Sequence, residues 1–232
     1  MDIPKTLEDK LKSGKVIPFV GAGVSMSVLD KSKPAKPMFN SWKDMLMAAA
    51  KRLEAEKKGL AADTVRYQVE KNDLLRAAEY ARDELGANWY TFLKIQFDKE
   101  EIDVDDASLE LARSIWKLGS NLIITTNYDS VLKWTSPNKR ELNIWNIQSS
   151  VEQKYLQSDG CKKPTIWHLH GIIGDCANMI LTPDSYQKLY APESSAEQRY
   201  KAALPTLRNL LTSHSFLFIG FSFEDKNIDL YD

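Results

Sequence analysis

Short apolar runs that stop abruptly at glycine or polar residues constrain this sequence more than any other feature. Residues 15–20 and 121–126 are two such runs, and their β-branched content predicts buried strands. Residues 165–170 form a third run, which follows Pro164. In open α/β sheets, ligands bind beyond the carboxyl ends of the strands. We therefore expect a pocket at the edge of a parallel sheet, where these runs stop.

Gly21 and Gly23 follow the first run directly. Glycine adopts positive φ and lets a ligand approach the backbone closely. Ser25 could cap a following helix, whose N-terminal N–H groups attract anions. A complete dinucleotide fingerprint would need a third glycine at position 26, where this chain has Met26. The segment fits either a phosphate cradle or an ordinary strand-to-helix turn.

Polar residues also follow the second and third runs. Asn127 and Asp129 could act on a ligand, or they could serve as a turn residue and the N-cap of a helix over 130–134. Period-two alternation places His168 and His170 on one face of the third strand. No acidic or cysteine partner lies at a telling spacing, so the sequence predicts no metal site, and a strand histidine is usually structural. His170 differs because it stands beside a glycine at the strand end, where a pocket would open.

Between the first two strands the sequence predicts helices. A capping box at 41–44, a start at 72 or 73 and a start at 106 each precede apolar residues at helical spacing, and Gly59 could end the first helix. Residues 142–147, 179–181 and 216–219 predict further strands, and residues 196–211 predict a helix that Pro205 kinks or divides. The expected fold is a doubly wound, mostly parallel α/β sheet with a helical insertion at about 34–118 that covers the crevice.

Composition excludes some classes of function. The chain has 31 basic and 32 acidic residues, so no global field would attract nucleic acid or a membrane. No apolar run approaches the length of a membrane span, and two cysteines suit a reducing cytoplasm. Residues 1–232 are long enough for one core with a subdomain. Residues 224–228 resemble the start of a helix, and we expect a further C-terminal region after 232.

The motifs at 20–25, 125–129 and 167–171 resemble, in this order, those of the sirtuin superfamily. Its members share a Gly-Ala-Gly-x-Ser loop, a Thr-x-Asn-x-Asp segment and a His-Gly pair. Residues 216–222 add a strand that ends in Gly-x-Ser, similar to the family's late nucleotide-binding turn. The resemblance covers about residues 15–229 and implies a Rossmann-like NAD-binding domain.

Two departures separate this chain from the protein deacylases of that family. Cys161 and Cys176 cannot form the four-thiolate zinc ribbon, and residues 33–39 lack the expected arginine. Trp42 and the segments 181–186 and 220–225 look instead like the sirtuin-like domains of bacterial anti-phage defence proteins, which hydrolyse NAD. Those domains work beside an ATPase, an Argonaute-type protein or a ligand-sensing domain, any of which is a possible partner here.

The resemblance implies an NAD+ glycohydrolase (NADase) that uses NAD as substrate and requires no metal. Asn127 would orient water or a ribose hydroxyl, His170 would accept a proton, and Asp129 would hold the nicotinamide amide. The implied contacts with the diphosphate come from Gly21, Ala22, Gly23 and Ser25. Those with the adenosine side come from Gly220 and Ser222. An NAD or ADP-ribose sensing module without catalysis is one alternative, and an NAD-dependent protein deacylase is another. Trp42, Trp89, Tyr90, Phe92 and Trp116 supply more aromatic surface than a small insertion easily buries, although they fit a plain core equally well. We also expect a homo-oligomer whose subunits meet through the 34–118 region.

Overall fold

Five parallel strands form the centre of the molecule. The computed structural model describes residues 4–222 except 151, 153–155, 157–160 and 193. The sheet has the order β5-β6-β4-β1-β7, and every pairing within it is parallel. Its strands are β1 (Val16–Val20), β4 (Leu122–Thr125), β5 (Asn143–Trp145), β6 (Thr165–His168) and β7 (Ser215–Ile219). A separate antiparallel hairpin consists of β2 (Leu29–Asp30) and β3 (Lys33–Pro37).

Helices cover both faces of this sheet. Ile124 and Trp167 pack in one apolar cluster, whereas Ile123 and Ile166, their immediate neighbours in the chain, pack in another on the opposite face. This alternation is what a sheet buried on both sides requires. The helices include α1 (Lys5–Lys12), α2 (Ala22–Met26), α3 (Trp42–Ala55), α4 (Gly59–Glu70), α5 (Leu74–Leu85), α6 (Asn88–Phe97), α7 (Glu110–Trp116), α8 (Val131–Trp134), α9 (Pro183–Tyr190) and α10 (Ala203–Ser213). Short 3₁₀ helices span Glu101–Asp103, Asp106–Leu109 and Ile173–Asn178.

The helical insertion has a core of its own. Met45, Leu46 and Leu53 of α3 are fully buried against apolar residues of α4, α5 and α6. Arg82 of α5 donates to Thr182 and to Asp184 of α9, over 3.2 and 2.7 Å, and so ties the insertion to the sheet domain. The expected doubly wound parallel sheet with a helical insertion is confirmed.

Several local expectations were wrong. Residues 179–181 are extended but form no strand, because they lie past the carboxyl end of β6, where Ile180 N–H donates to the carbonyl of His170. Gly59 begins α4 instead of ending α3, and the sequence analysis missed both α4 and α6. Pro205 produces no kink, because α10 begins only at Ala203 and proline is tolerated in the first turn.

Some expectations lie outside the described residues. The predicted helix start at 224–228 is one, and residues 223–225 of the segment that resembles defence proteins are another. No helix among the described residues is long and apolar enough to cross a bilayer.

Candidate active site

The polar motifs converge because the strands that precede them are in lateral register. Val20 of β1 pairs with Thr125 of β4 on one side and with Ile219 of β7 on the other, and Thr125 pairs with His168 of β6. Parallel strands present their carboxyl ends at the same edge of a sheet, and ligands of α/β proteins bind there. The residues that follow these four strands therefore meet although they are far apart in sequence.

A cavity of about 1020 Å³ opens at this edge. Eight of the nine site residues expected from the sequence line it, namely Ala22, Gly23, Ser25, Asn127, Asp129, His170, Gly220 and Ser222. The ninth, Gly21, lies just behind the wall, where its carbonyl accepts a hydrogen bond from Asn127 Nδ2 over 3.0 Å. A cavity of this size falls at the upper end of the range for small-molecule and cofactor sites.

A chain of hydrogen bonds orients the Asn127 amide. Its Nδ2 donates to Ser25 Oγ over 2.8 Å, and Ser25 Oγ donates in turn to Asp129 Oδ2 over 2.6 Å. The second amide hydrogen is used by the carbonyl of Gly21. With both hydrogens engaged, the carbonyl Oδ1 is the side-chain atom of Asn127 that remains for a molecule in the cavity.

Asp129 combines the two roles that the sequence left open. Its Oδ1 accepts a hydrogen bond from Val131 N–H at the start of α8 over 2.9 Å, as a capping residue does, and it also lines the cavity. The side chain is buried, and burial raises the pKa of Asp129 although the hydrogen bonds from Ser25 and Val131 act in the opposite direction. The carboxylate is thus held by neutral donors without a cationic partner among the described residues.

His168, expected from the sequence to be structural, holds the backbone of Asn127 in place. Its Nδ1–H donates to the backbone carbonyl of Asn127 over 2.8 Å, while Asn127 N–H donates to Thr125 Oγ1 over 3.0 Å. Burial lowers the pKa of His168 to about 4, against the hydrogen bond to Asn127, so the ring is neutral at cellular pH. The position of His168 on a predicted strand next to the one that precedes Asn127 could have indicated this contact.

The two histidines do not share a strand face, contrary to the sequence-based expectation. Strand β6 ends at His168, and the period-two alternation therefore does not extend to His170. The His170 ring packs edge-on against Tyr186 and Tyr190 of α9, with ring centroids 5.6 and 5.9 Å apart. Its Nε2 is 2.6 Å from the Tyr190 hydroxyl. Neither tyrosine was recognised from the sequence as part of the site.

Close packing of the chain requires Gly21 and Gly23 to be glycines, whereas the expected positive φ is wrong for both. Neither Gly21 nor Gly23 has a positive φ. A Cβ at Gly21 would lie 2.6 Å from the carbonyl oxygen of Gly220, and one at Gly23 would lie 2.9 Å from the Cα of Gly220. The two glycines let the β7 turn pack against the first loop. Ser25 does not cap a helix either, because it lies inside α2 and contacts Asp129 instead.

The helical insertion contributes one wall of the cavity. Residues 39–43 precede and begin α3, and residues 71–75 form the turn after α4 and the start of α5. These two segments supply Lys43 and Lys71, both missed by the sequence analysis, as the lysines of the lining. Asn72 adopts a positive φ of 58°, a conformation that asparagine tolerates better than most residues and that could have indicated the turn.

The described residues offer no group of three or more histidine, cysteine or acidic side chains arranged to hold a metal. Cys161 and Cys176 are free, and burial raises the pKa of both thiols, which disfavours the thiolate that a metal requires. His214, at the end of α10, contacts Ser213 and does not line the cavity.

Comparison with known proteins agrees with this architecture. Residues 121–231 match the model of the SIR2-like domain family. The parallel sheet shows a Rossmann-like α/β protein, and the match confirms the expected similarity to sirtuin-like proteins.

More specific similarity connects the chain to one kind of enzyme. It is 25% identical over 230 residues to the NAD(+) hydrolase ThsA of Enterococcus faecium. This alignment covers 97% of the present chain and 41% of the relative. It is 27% identical over 214 residues to the protein of the same name from Bacillus cereus strain MSX-D12, covering 91% and 38%. A third ThsA, from Cytobacillus dafuensis, is 27% identical over 217 residues, covering 91% and 36%. The chain therefore spans about two-fifths of the length of these relatives.

Proposed function

We propose that this chain is the catalytic part of an NAD+ glycohydrolase, which cleaves the bond between nicotinamide and ribose to give nicotinamide and ADP-ribose. The observation that carries the proposal is the Asn127–Ser25–Asp129 chain of hydrogen bonds at the wall of the 1020 Å³ cavity. The similarity to three proteins named NAD(+) hydrolase supports it.

Cleavage of the nicotinamide–ribose bond requires no general acid from the protein. The nicotinamide nitrogen is already cationic, so it leaves with the bonding electron pair and needs no proton. As the C–N bond breaks, the ribose carbon gains positive charge, as in other glycoside cleavage. Water then forms a bond to that carbon and loses a proton. The protein must therefore hold the sugar, stabilise the cationic transition state and direct one water.

The cavity residues can divide these tasks. Asn127 Oδ1, left for the substrate side by the hydrogen bonds of its amide, would accept a hydrogen from the water or from a ribose hydroxyl. His170 would accept the proton that is lost, a role that suits imidazole at cellular pH. Asp129 would accept from the nicotinamide amide, because a carboxylate oxygen can accept a second hydrogen bond besides those from Ser25 and Val131.

Neutral and cationic groups can both bind the diphosphate. Backbone groups of residues 21–25 and 220–222 face this edge of the sheet, and glycine allows close approach there. The arginine that the deacylases carry after the glycine loop is missing from residues 33–39. We propose that Lys43 and Lys71 of the helical wall supply positive charge in its place.

Incubation of the full-length protein with NAD, followed by chromatographic analysis of the products, tests the proposal. We expect Asn127→Ala to abolish nicotinamide release with the fold intact, and His170→Ala to slow it about 10²–10⁴-fold. His214→Ala is the matched control, because it removes an imidazole outside the cavity. Full activity of Asn127→Ala would contradict the assignment.

The same assay separates the alternatives. Tight NAD or ADP-ribose binding without nicotinamide release would favour a sensing module. Release that depends on an acylated peptide would favour a deacylase, which the absence of a four-thiolate site in the two-cysteine sequence opposes.

We further propose that the enzyme acts in bacterial cytoplasm as an anti-phage effector that depletes NAD, as a homo-oligomer and together with an ATPase, an Argonaute-type protein or a sensor domain. The balanced charge of the chain supports a protein partner over direct nucleic-acid or membrane contact. A fall in cellular NAD on phage infection, present with the wild type and absent with Asn127→Ala, would support the role. Unchanged NAD in both strains would contradict it.

A further inference from the structure

Tyr190 lies behind His170 as seen from the cavity. It does not line the cavity, yet its hydroxyl is 2.6 Å from His170 Nε2, a short distance for a bond to a ring nitrogen. His170 is buried, and Tyr190 is half-buried in the apolar cluster of α9 and α10. The bond therefore forms where water competes little for either group.

Aromatic packing fixes this pair of side chains. Tyr190 and Tyr186, one turn apart on α9, have ring centroids 5.5 Å apart, and both contact the His170 ring edge-on. The backbone is fixed as well, because the carbonyl of His170 accepts from Ile180 N–H over 2.9 Å. Gly171 follows with a φ of +90° in a tight turn. A Cβ at this position would lie 3.0 Å from the carbonyl oxygen of Asn178. The imidazole thus has one orientation relative to the strand ends.

We propose that Tyr190 is a positioning residue for His170, whose hydroxyl oxygen accepts the Nε2–H and so leaves Nδ1 as the basic nitrogen. This inference rests on the proposed NAD+ glycohydrolase activity. In a histidine, the hydrogen bond at one ring nitrogen sets which nitrogen carries the proton. When His170 accepts a proton, the O–H bond of the water or ribose hydroxyl breaks and an Nδ1–H bond forms. Both ring nitrogens are then donors, and Tyr190 accepts from the Nε2–H of the imidazolium.

Tyr190→Phe tests this role in the full-length protein, because it removes the hydroxyl and keeps the ring. We expect kcat for nicotinamide release to fall about 10–100-fold, the scale at which the outer partner of a functional histidine acts. The KM for NAD should change less than about twofold, because Tyr190 does not line the cavity. Tyr200→Phe is the matched control. The Tyr200 hydroxyl donates to Asn178 Oδ1 over 3.2 Å and is not bonded to His170, so this variant should keep wild-type kcat.

A spectroscopic measurement distinguishes positioning from a merely structural role. ¹⁵N NMR can assign the imidazoles of His168 and His170 by comparison with variants that lack one of them. We expect His170 of the wild type to carry its proton on Nε2, whereas His168, whose Nδ1–H donates to Asn127, provides the opposite tautomer as an internal reference. In Tyr190→Phe the His170 signals should move toward a mixture of tautomers, and those of His168 should not change.

The outcomes separate a failure of the positioning role from a failure of the proposed function. A wild type that releases nicotinamide, with kcat and the His170 tautomer both unchanged in Tyr190→Phe, would overturn the positioning role alone. An Nδ1–H tautomer of His170 in the wild type would also overturn it, even if the variant failed to fold. A wild type that releases no nicotinamide would overturn the proposed function and this inference with it.

Discussion

Gly220 needs to be glycine for two separate reasons. Its φ is +65°, in the left-handed region that costs other residues about 1–2 kcal/mol. A Cβ there would also lie 2.6 Å from the backbone nitrogen of Val24, in the short helix α2 beside the cavity. We expect Gly220→Ala to lower the free energy of unfolding by clearly more than the conformational cost, and to weaken NAD binding because the two segments must separate.

Gly14→Ala is the control for this prediction, because Gly14 has the same φ of +65° with nothing within 4 Å of its added Cβ. Urea unfolding of both variants isolates the contact between the two segments. Equal losses of stability would show that backbone conformation alone explains Gly220.

His168 should make the stability of the protein depend on pH. Its pKa is about 4 in the folded protein and 6.5 in an unfolded chain, so the unfolded chain binds more protons between these values. Stability should therefore fall as the pH drops from 6.5 to 4, by about 3 kcal/mol in total from this group. Stability is lost because a protonated imidazole is unfavourable in the buried site but is well solvated in the unfolded chain.

Comparison of wild type with His168→Asn by urea unfolding at several pH values measures this contribution. Asparagine does not titrate and keeps a donor near the Asn127 carbonyl. Asp129 also contributes to the pH dependence: because its pKa is raised, its contribution to stability falls as the pH rises above 3.8. Both proteins contain Asp129, so this contribution cancels in the difference between them. Identical slopes in the two proteins would contradict the prediction.

At the scale of elements, the start of α3 and the turn between α4 and α5 decide which charges face the cavity. Lys43 follows Trp42 in the first turn of α3. Lys71 directly follows α4, and its ammonium lies 5.5 Å from the centre of the Tyr67 ring. Neither lysine forms an ion pair within 4 Å in the described part of the chain. Their positive charge is available to a bound diphosphate.

We expect Lys43→Ala and Lys71→Ala each to raise the KM for NAD about tenfold with kcat nearly unchanged, the size of one charge-assisted hydrogen bond. Lys51→Ala is the matched control, because Lys51 is exposed on the same α3 helix and does not line the cavity. Steady-state kinetics of nicotinamide release measures all three. A KM that rises equally in the control would show a general charge effect instead.

At the scale of the whole molecule, Tyr90 is exposed, whereas three of the other aromatic residues that led us to expect assembly are buried. Trp89, Phe92 and Trp116 are 3%, 6% and 8% exposed, so they belong to the core and supply no interface. The large apolar side chains exposed among the described residues nevertheless all lie within 34–118, and they are Leu60, Tyr67, Tyr80, Tyr90, Ile95, Ile102 and Leu111. Exposed apolar patches often indicate interaction surfaces.

Leu60 and Tyr67 are two turns apart on one face of α4 and are 85% and 54% exposed. If subunits meet through this helix, Leu60→Glu should reduce the sedimentation coefficient and change NAD turnover without altering the cavity, which Leu60 does not line. Lys5→Glu on α1, outside the insertion, controls for added negative charge. A wild type that is monomeric at all concentrations and fully active would contradict the prediction of a homo-oligomer.

The sequence by itself determined the kind of fold and the place of the site. Short apolar runs with β-branched residues specify buried strands through local pattern alone, and residues 16–20, 122–125 and 215–219 are strands as expected. Parallel strands end at a common edge, so the residues after Val20 and Thr125 had to meet. These conclusions need only periodicity and the geometry of a sheet.

Only the tertiary structure decided how the site residues contact one another. Ser25 and Asp129 are 104 residues apart in sequence, yet their hydrogen bond orients Asn127. Tyr190 reaches His170 only because α9 packs over the end of β6, and no local pattern encodes that distance. Local sequence fixes which elements form, because periodicity and capping act over one or two turns. Which polar atoms become partners depends on burial and long-range packing, which exist only in the folded chain.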